Sequence, residues 1–138
     1  MDKEIISAKL ETLRRCVQRL KDKTPESIAS LLDDWDLQDI ICINLERAVQ
    51  VSVDLASHII ADSDLAAPST MAEAFEQLER LGVISGDLAT RMKRAVGFRN
   101  IAVHAYQKIN WSMVFSILTT RLEDFRSFAA AIARASHL

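Results

Sequence analysis

The spacing of its apolar side chains limits what this chain can fold into more than any other feature. Over residues 2–22 they recur every three or four positions, which is the period of a helix with one buried face. Alternation with a period of two is nowhere sustained. The 138 residues include only three Gly and two Pro, too few for the turns of a multi-stranded sheet. We therefore expect an all-α fold.

Boundary signals divide the chain into helical segments. Thr24-Pro25-Glu26 is typical of a helix start, Ser69 or Thr70 can cap another helix, and Gly82 can end it. Ser85 can start the next helix, and Asn110 or Ser112 the last. The expected helices cover residues 2–22, a short segment to about 32, 36–61, 70–81, 85–106 and 112–135. We expect these to form an up-and-down four-helix bundle with an additional short helix, in one domain over residues 1–138.

Composition and length predict a soluble protein. No signal peptide is visible at the N-terminus, and the apolar runs are far shorter than the ~18 residues that a membrane helix needs. Cys16 and Cys42 fall at apolar positions of expected helices, which favours reduced core thiols and a cytoplasmic location. The histidines and cysteines lack the spacing of metal ligands, so we expect no metal and no cofactor.

Charge is distributed unevenly along the chain. The net charge is −2, yet no Asp or Glu occurs from Leu88 to Leu122. That stretch carries six positive charges, which leaves about −8 for the other residues. Such a local excess suits a polyanion such as RNA, although a solvated basic helix face would give the same pattern. The six residues are Arg91, Lys93, Arg94, Arg99, Lys108 and Arg121.

The expected helix over residues 36–61 is apolar on nearly every side. A helix of this kind is usually buried on more than one face, and in a small bundle a second copy of the chain could supply the second burial. A twofold homodimer is therefore expected. The same helix carries a stripe of polar residues, which is either a solvent-exposed face or the lining of a cleft. The stripe consists of Asn44, Arg47, Asp54 and His58.

Residues 99–106 read R-N-I-A-V-H-A-Y and concentrate reactive side chains. On a helix of about 3.6 residues per turn, Arg99 and His104 lie roughly 140° apart and do not share a face. Asn100 and His104, four residues apart, do share one. A twofold axis beside this segment would bring two copies of all three side chains to one cleft.

Arginine and histidine together suit the cleavage of RNA by its own 2′-hydroxyl. A histidine with an ordinary pKa near ~6.5 can take the 2′-hydroxyl proton or protonate the leaving 5′-oxygen. An arginine can hold the phosphate and stabilise the additional charge of the pentacoordinate state. The expected products carry a 2′,3′-cyclic phosphate, no metal is needed, and DNA should resist.

The pattern R-N-x-x-x-H-x-Y at 99–106 resembles the signature of the HEPN superfamily. More closely, the chain resembles the HepT toxins of HEPN/MNT toxin–antitoxin systems, where MNT denotes a minimal nucleotidyltransferase. N-L-E-R-A-V-Q at 44–50 and P-S-T-M-A-E-A-F at 68–75 support the resemblance. It implies a HEPN-like homodimeric bundle and a metal-independent endoribonuclease, the toxin of a type II/VII-like system. Arg99 and His104 would be catalytic, and Asn100 would orient the site or its substrate.

The resemblance also implies a partner, a cognate MNT-type nucleotidyltransferase that acts as antitoxin by attaching AMP to Tyr106. A phosphate-bearing adduct there would occupy the place of the RNA phosphate and add negative charge. Alternatives stay open at this point. The chain could be a non-catalytic helical partner of a nucleotidyltransferase, in which Arg99 and Asn100 bind a nucleotide. His104 could be a structural interface residue, and Tyr106 a packed ring.

Overall fold

The computed structural model describes residues 2–138, and within them it contains helices and no strand. The all-α prediction is confirmed. A single 3₁₀ turn, Tyr106–Lys108, lies between the fifth and sixth α-helices. The α-helices are α1 (Lys3–Lys23), α2 (Ile28–Leu32), α3 (Trp35–Ala61), α4 (Met71–Arg80), α5 (Gly86–His104), α6 (Trp111–Thr120) and α7 (Leu122–Ala135).

Four helices, α1, α3, α5 and α7, form the bundle that the sequence predicted. Helix α3 is central and packs against α1, α4, α5 and α7, while α2 packs on α6. Phe75 on α4 meets Phe128 on α7 edge to face, with ring centroids 5.6 Å apart, and both rings are fully buried. Such aromatic pairs add to the hydrophobic stabilisation of the core. None of the described helices could cross a membrane, being too short or too polar.

Side-chain caps begin three of the helices where the sequence placed them. Thr70 Oγ1 accepts the backbone N–H of Glu73 at 3.1 Å, and the Glu73 carboxylate accepts the N–H of Ser69 at 3.1 Å. Ser85 and Asn110 cap α5 and α6 in the same way. These contacts satisfy backbone donors that a helix start otherwise leaves unpaired. The predicted starts of α4, α5 and α6 are confirmed.

One helix start and two helix ends differ from the prediction. Thr24 ends α1 and does not begin the next helix; α2 begins at Ile28 and is capped by Ser27. Helix α5 stops at His104, because Ala105 leaves the helical region at φ −148° and ψ 52°. The expected last helix divides at Arg121 into α6 and α7. Just before that residue, the hydroxyls of Thr119 and Thr120 hydrogen-bond back to carbonyls of their own helix, a pattern that bends helices. No glycine or proline marks either end.

The central position of α3 accounts for its apolar character. Most of its large apolar side chains are buried against other helices of the same chain, while Ile43 stays 43% exposed. The residues expected to form a surface for a second copy of the chain are thus largely core residues. The apolar character of α3 therefore does not by itself indicate a homodimer. Cys16 and Cys42 are buried and free, as predicted. Burial raises the pKa of Cys42 to about 12, which leaves this thiol protonated and unreactive.

Candidate functional site

The C-terminal turns of α5 present Arg99 on one side, and Asn100 and His104 together on another. Arg99 is half-buried, whereas Asn100 and His104 are exposed. Because 100° of rotation separates neighbouring residues of a helix, Arg99 and His104 lie on different sides of α5. The structure therefore places the predicted pair on one helix end without bringing the two side chains together on one face.

Arg99 has hydrogen-bonding capacity that the protein leaves unused. Its Nη1 donates to Asn100 Oδ1 at 3.3 Å, so the amide steadies the guanidinium. Its Nε is buried and has no hydrogen-bond partner among residues 2–138. A buried donor without an acceptor is costly, and an anion is the acceptor that a guanidinium binds best. This geometry suits phosphate binding, with Asn100 orienting Arg99.

His104 is the last residue of α5, and its imidazole is exposed. No hydrogen bond or ion pair engages it within the described part of the chain. Both ring nitrogens are thus available to a substrate or to a second protein chain.

Tyr106 is bound to α3 by a hydrogen bond that the sequence did not predict. Its hydroxyl donates to Asp39 Oδ1 at 2.8 Å, across 67 residues of chain. Its ring meets Trp111 edge to face at 6.1 Å, and the residue is 40% exposed. Burial, followed by the bond to Asp39, raises the pKa of Tyr106 well above its usual range. The phenol is therefore neutral, oriented and accessible from solvent.

The polar stripe of α3 does not converge on this site. Asn44 is buried and donates to the Ile40 carbonyl of its own helix at 2.8 Å. Asp54 accepts hydrogen bonds from Lys9 on α1 and from Gln50, while Arg47 is exposed and lies near Cys16 on α1. The stripe thus runs along the side of α3 that faces α1. Asp39 of α3 does contact the segment 99–106, through Tyr106, and only the tertiary fold reveals this contact.

The positive charges of the acid-free stretch are only partly neutralised. Arg91 pairs with Asp87 and with Asp124, at 2.8 Å from the latter, and Lys93 pairs with Glu76 at 3.4 Å. All three carboxylates come from outside the stretch 88–122. Four cations of the stretch have no carboxylate partner among the described residues: Arg94, Arg99, Lys108 and Arg121. Within residues 2–138 no group of histidine, cysteine and carboxylate side chains is arranged to hold a metal ion.

Comparisons with known proteins find relatives that cover nearly the whole chain. The chain is 33% identical to the mRNA nuclease HepT of Shewanella oneidensis over 129 residues, which span 94% of this chain and 96% of that protein. It is 27% identical to the tRNA nuclease HepT of Aphanizomenon flos-aquae, over 93% of this chain and 87% of that one.

Solved structures give the same result at the level of the fold. The tri-AMPylated HEPN toxin of Shewanella oneidensis, in complex with its MNT antitoxin, superposes with a TM-score of 0.90 and 33% identity. The superposition covers 97% of this chain and 99% of that one. Residues 11–132 match the family described as Ribonuclease HepT-like. The segment 99–106 thus lies in the same fold as in these relatives. This chain belongs to the ribonuclease HepT-like family.

Proposed function

We propose that this protein is the ribonuclease of a toxin–antitoxin pair, and that it cleaves RNA without a metal cofactor. The observation that carries the proposal is the unpaired, buried Nε–H of Arg99 on the same helix end as an unengaged His104. Similarity to HepT nucleases over nearly the whole chain supports the same conclusion. We place its action in the cytoplasm, where thiols such as the buried, free Cys16 and Cys42 stay reduced.

In the proposed reaction, the 2′-oxygen of the RNA attacks the adjacent phosphorus. His104 accepts the 2′-hydroxyl proton, a 2′-O–P bond forms, and the bond from phosphorus to the 5′-oxygen breaks. Water supplies the proton for the departing oxygen, and His104 returns its own proton to solvent. Arg99 donates hydrogen bonds to the phosphate as its charge grows. The products are a 2′,3′-cyclic phosphate and a 5′-hydroxyl.

A second copy of the chain would complete the site. Since Arg99 and His104 lie on different sides of α5, a twofold axis can pair Arg99 of one protomer with His104 of the other. An exposed apolar surface lies close by: Trp35 and Ile43, two turns apart on α3, are 79% and 43% exposed and flank Asp39, which binds Tyr106. Burying such a surface is a common basis of dimerisation.

Tyr106 is the proposed target of a nucleotidyltransferase antitoxin. Its hydroxyl would attack the α-phosphorus of ATP, so that an Oη–P bond forms, pyrophosphate leaves, and the phenol proton passes to a base. The adduct would place a phosphate and a nucleoside beside the site and compete with RNA for it. The AMPylated state of the Shewanella toxin in complex with its antitoxin supports this assignment.

One experiment tests both parts of the proposal. Wild type and His104→Ala are purified without the antitoxin, their intact masses are recorded, and each is incubated with total RNA in EDTA. Cleavage by the unmodified wild type alone, leaving cyclic-phosphate ends, is the expected result. His137→Ala, which alters an exposed histidine near the C-terminus, is the matched control and should cleave normally.

Two outcomes would contradict the proposal. Cleavage that survives both Arg99→Ala and His104→Ala would exclude these residues from the reaction. AMP binding by an unmodified wild type that cleaves no RNA at any concentration would instead favour a nucleotide-binding partner subunit. Wild type carrying an AMP-sized adduct would be the neutralised form. Tyr106→Phe, which cannot accept AMP, then provides the unmodified protein for the assay.

A further inference from the structure

A cavity of about 250 Å³ opens between α3, α5, α6 and α7. Its floor is apolar and consists of buried side chains from three helices, Leu45, Val49, Phe98 and Phe125. Exposed Met113 and Ser116 of α6 stand at its mouth. An apolar floor with a few polar groups at the opening is the usual composition of a small-molecule site.

Three arginines line the same cavity, and two of them are free. Arg91 Nε lies 2.8 Å from Asp124 Oδ1, and this ion pair fixes the guanidinium at the side of the cavity. The side chains of Arg94 and Arg121 have no hydrogen-bond or ion-pair partner within residues 2–138. The cavity therefore combines a body of apolar character with an unneutralised cationic rim. The complementary ligand has a flat, mainly apolar group attached to an anion, as a nucleotide does.

The cavity lies close to Arg99, on the same face of α5. Ala95 lines the cavity and Arg99 follows four residues later, so both lie on one face of the helix. At 1.5 Å per residue they are about 6 Å apart along the axis. An RNA strand whose phosphate contacts Arg99 can thus place a neighbouring nucleotide in the cavity.

We propose that this cavity binds the base of one RNA nucleotide next to the scissile phosphate, while Arg94 and Arg121 contact the flanking phosphates. The proposal rests on the proposed ribonuclease function. Proteins that read single-stranded RNA splay out its bases and hold them against aromatic side chains and arginine planes. The Ser116 hydroxyl at the mouth can hydrogen-bond to a base edge. The cavity then supplies a base preference that the segment 99–106 does not encode.

The test measures RNA binding and cleavage separately. Ser116→Trp covers the mouth, and Arg94→Ala or Arg121→Ala removes a rim charge. Each is made in the His104→Ala background to measure the Kd for a single-stranded oligoribonucleotide, and in wild type to measure kcat and KM. We expect Kd and KM to rise about tenfold or more, with kcat changed less than about threefold, because phosphate contacts mainly contribute to binding. Ser112→Trp and Arg134→Ala, at exposed positions outside the cavity, are matched controls.

A second series locates the base. Oligoribonucleotides with one abasic residue at successive positions around the cleavage site should lose affinity at one position, and Ser116→Trp should be insensitive to that change. A flat scan, or unchanged Kd in Ser116→Trp, would overturn the proposal. AMP that binds wild type, is blocked by Ser116→Trp and does not compete with RNA would also overturn it, since the cavity would then hold a free nucleotide. Wild type that cleaves no RNA would instead contradict the ribonuclease function itself.

Discussion

At the scale of single residues, the hydrogen bond from Tyr106 to Asp39 determines the state of the proposed modification site. It holds the phenol in one orientation and, together with burial, keeps it protonated. A base must therefore remove the proton when the hydroxyl reacts, and Asp39 is the carboxylate already in contact with it. The motif R-N-x-x-x-H-x-Y predicted Tyr106, but a contact between residues 67 positions apart leaves no local signal in the sequence.

The bond between Tyr106 and Asp39 predicts an unusual titration. Tyr106 is the only tyrosine of the chain, so its ionisation can be followed directly by ultraviolet absorption. We expect it to ionise well above the ordinary pKa near 10, and Asp39→Asn to lower that pKa because the carboxylate charge is lost. Asp36→Asn, one turn earlier on α3, is the control and should leave the titration unchanged. Ionisation of Tyr106 near pH 10 in wild type would contradict the prediction.

The same shift affects stability. A group whose pKa is raised in the folded state contributes stability that is complete below its unfolded pKa. That contribution is lost as the pH rises from the unfolded value through the folded one. The free energy of unfolding of wild type should thus decrease above about pH 10, and Asp39→Asn should lose less of it over that range.

At the scale of helices, boundaries marked by local chemistry were predictable except at Thr24, which ends α1. Boundaries without such a mark were not predictable. Thr70, Ser85 and Gly82 act through their own backbone neighbourhood, so their roles can be inferred from the sequence. The end of α5 at Ala105 and the division at Arg121 lack glycine or proline. The first coincides with the contact of Tyr106 to α3, and the second follows two back-bonded threonines. Boundaries of that kind depend on the packed fold.

Two glycines should respond oppositely to alanine. Gly82 ends α4 at φ +74°, where a side chain is strained, so Gly82→Ala should destabilise the protein by about 1–2 kcal/mol. Gly97 lies within α5 with open space around a new Cβ, so Gly97→Ala should stabilise by about 0.5–1 kcal/mol. Chemical denaturation of both variants measures the difference. Equal signs would show that one of the two backbone assignments is wrong.

At the scale of the whole molecule, the question is how many chains make one site. The sequence predicted the bundle well, because helical periodicity records the direction of burial. It predicted the reason for dimerisation poorly, because α3 is apolar on most sides to fill the centre of its own bundle. The separation of Arg99 and His104 around α5 favours two chains more strongly, because a single copy does not bring these side chains together.

Mixing two inactive variants tests this arrangement. If Arg99 of one protomer works with His104 of the other, a heterodimer of Arg99→Ala and His104→Ala contains one intact site. Random reassociation should then restore about a quarter of the wild-type rate, since half of the dimers are mixed and each has one working site of two. The two variants are co-refolded in equal amounts and assayed for RNA cleavage. No activity in a verified heterodimer would place both residues of the site on one chain.

The unpaired Nε–H of Arg99 also affects the energetics of the free protein. A donor buried without an acceptor costs about 1–3 kcal/mol, and the folded chain bears that cost until an anion arrives. Arg99→Met, which retains the length of the side chain and removes the donor, should melt at a higher temperature than wild type while cleaving nothing. The folded chain thus gives up some thermal stability to keep a donor ready for an anion.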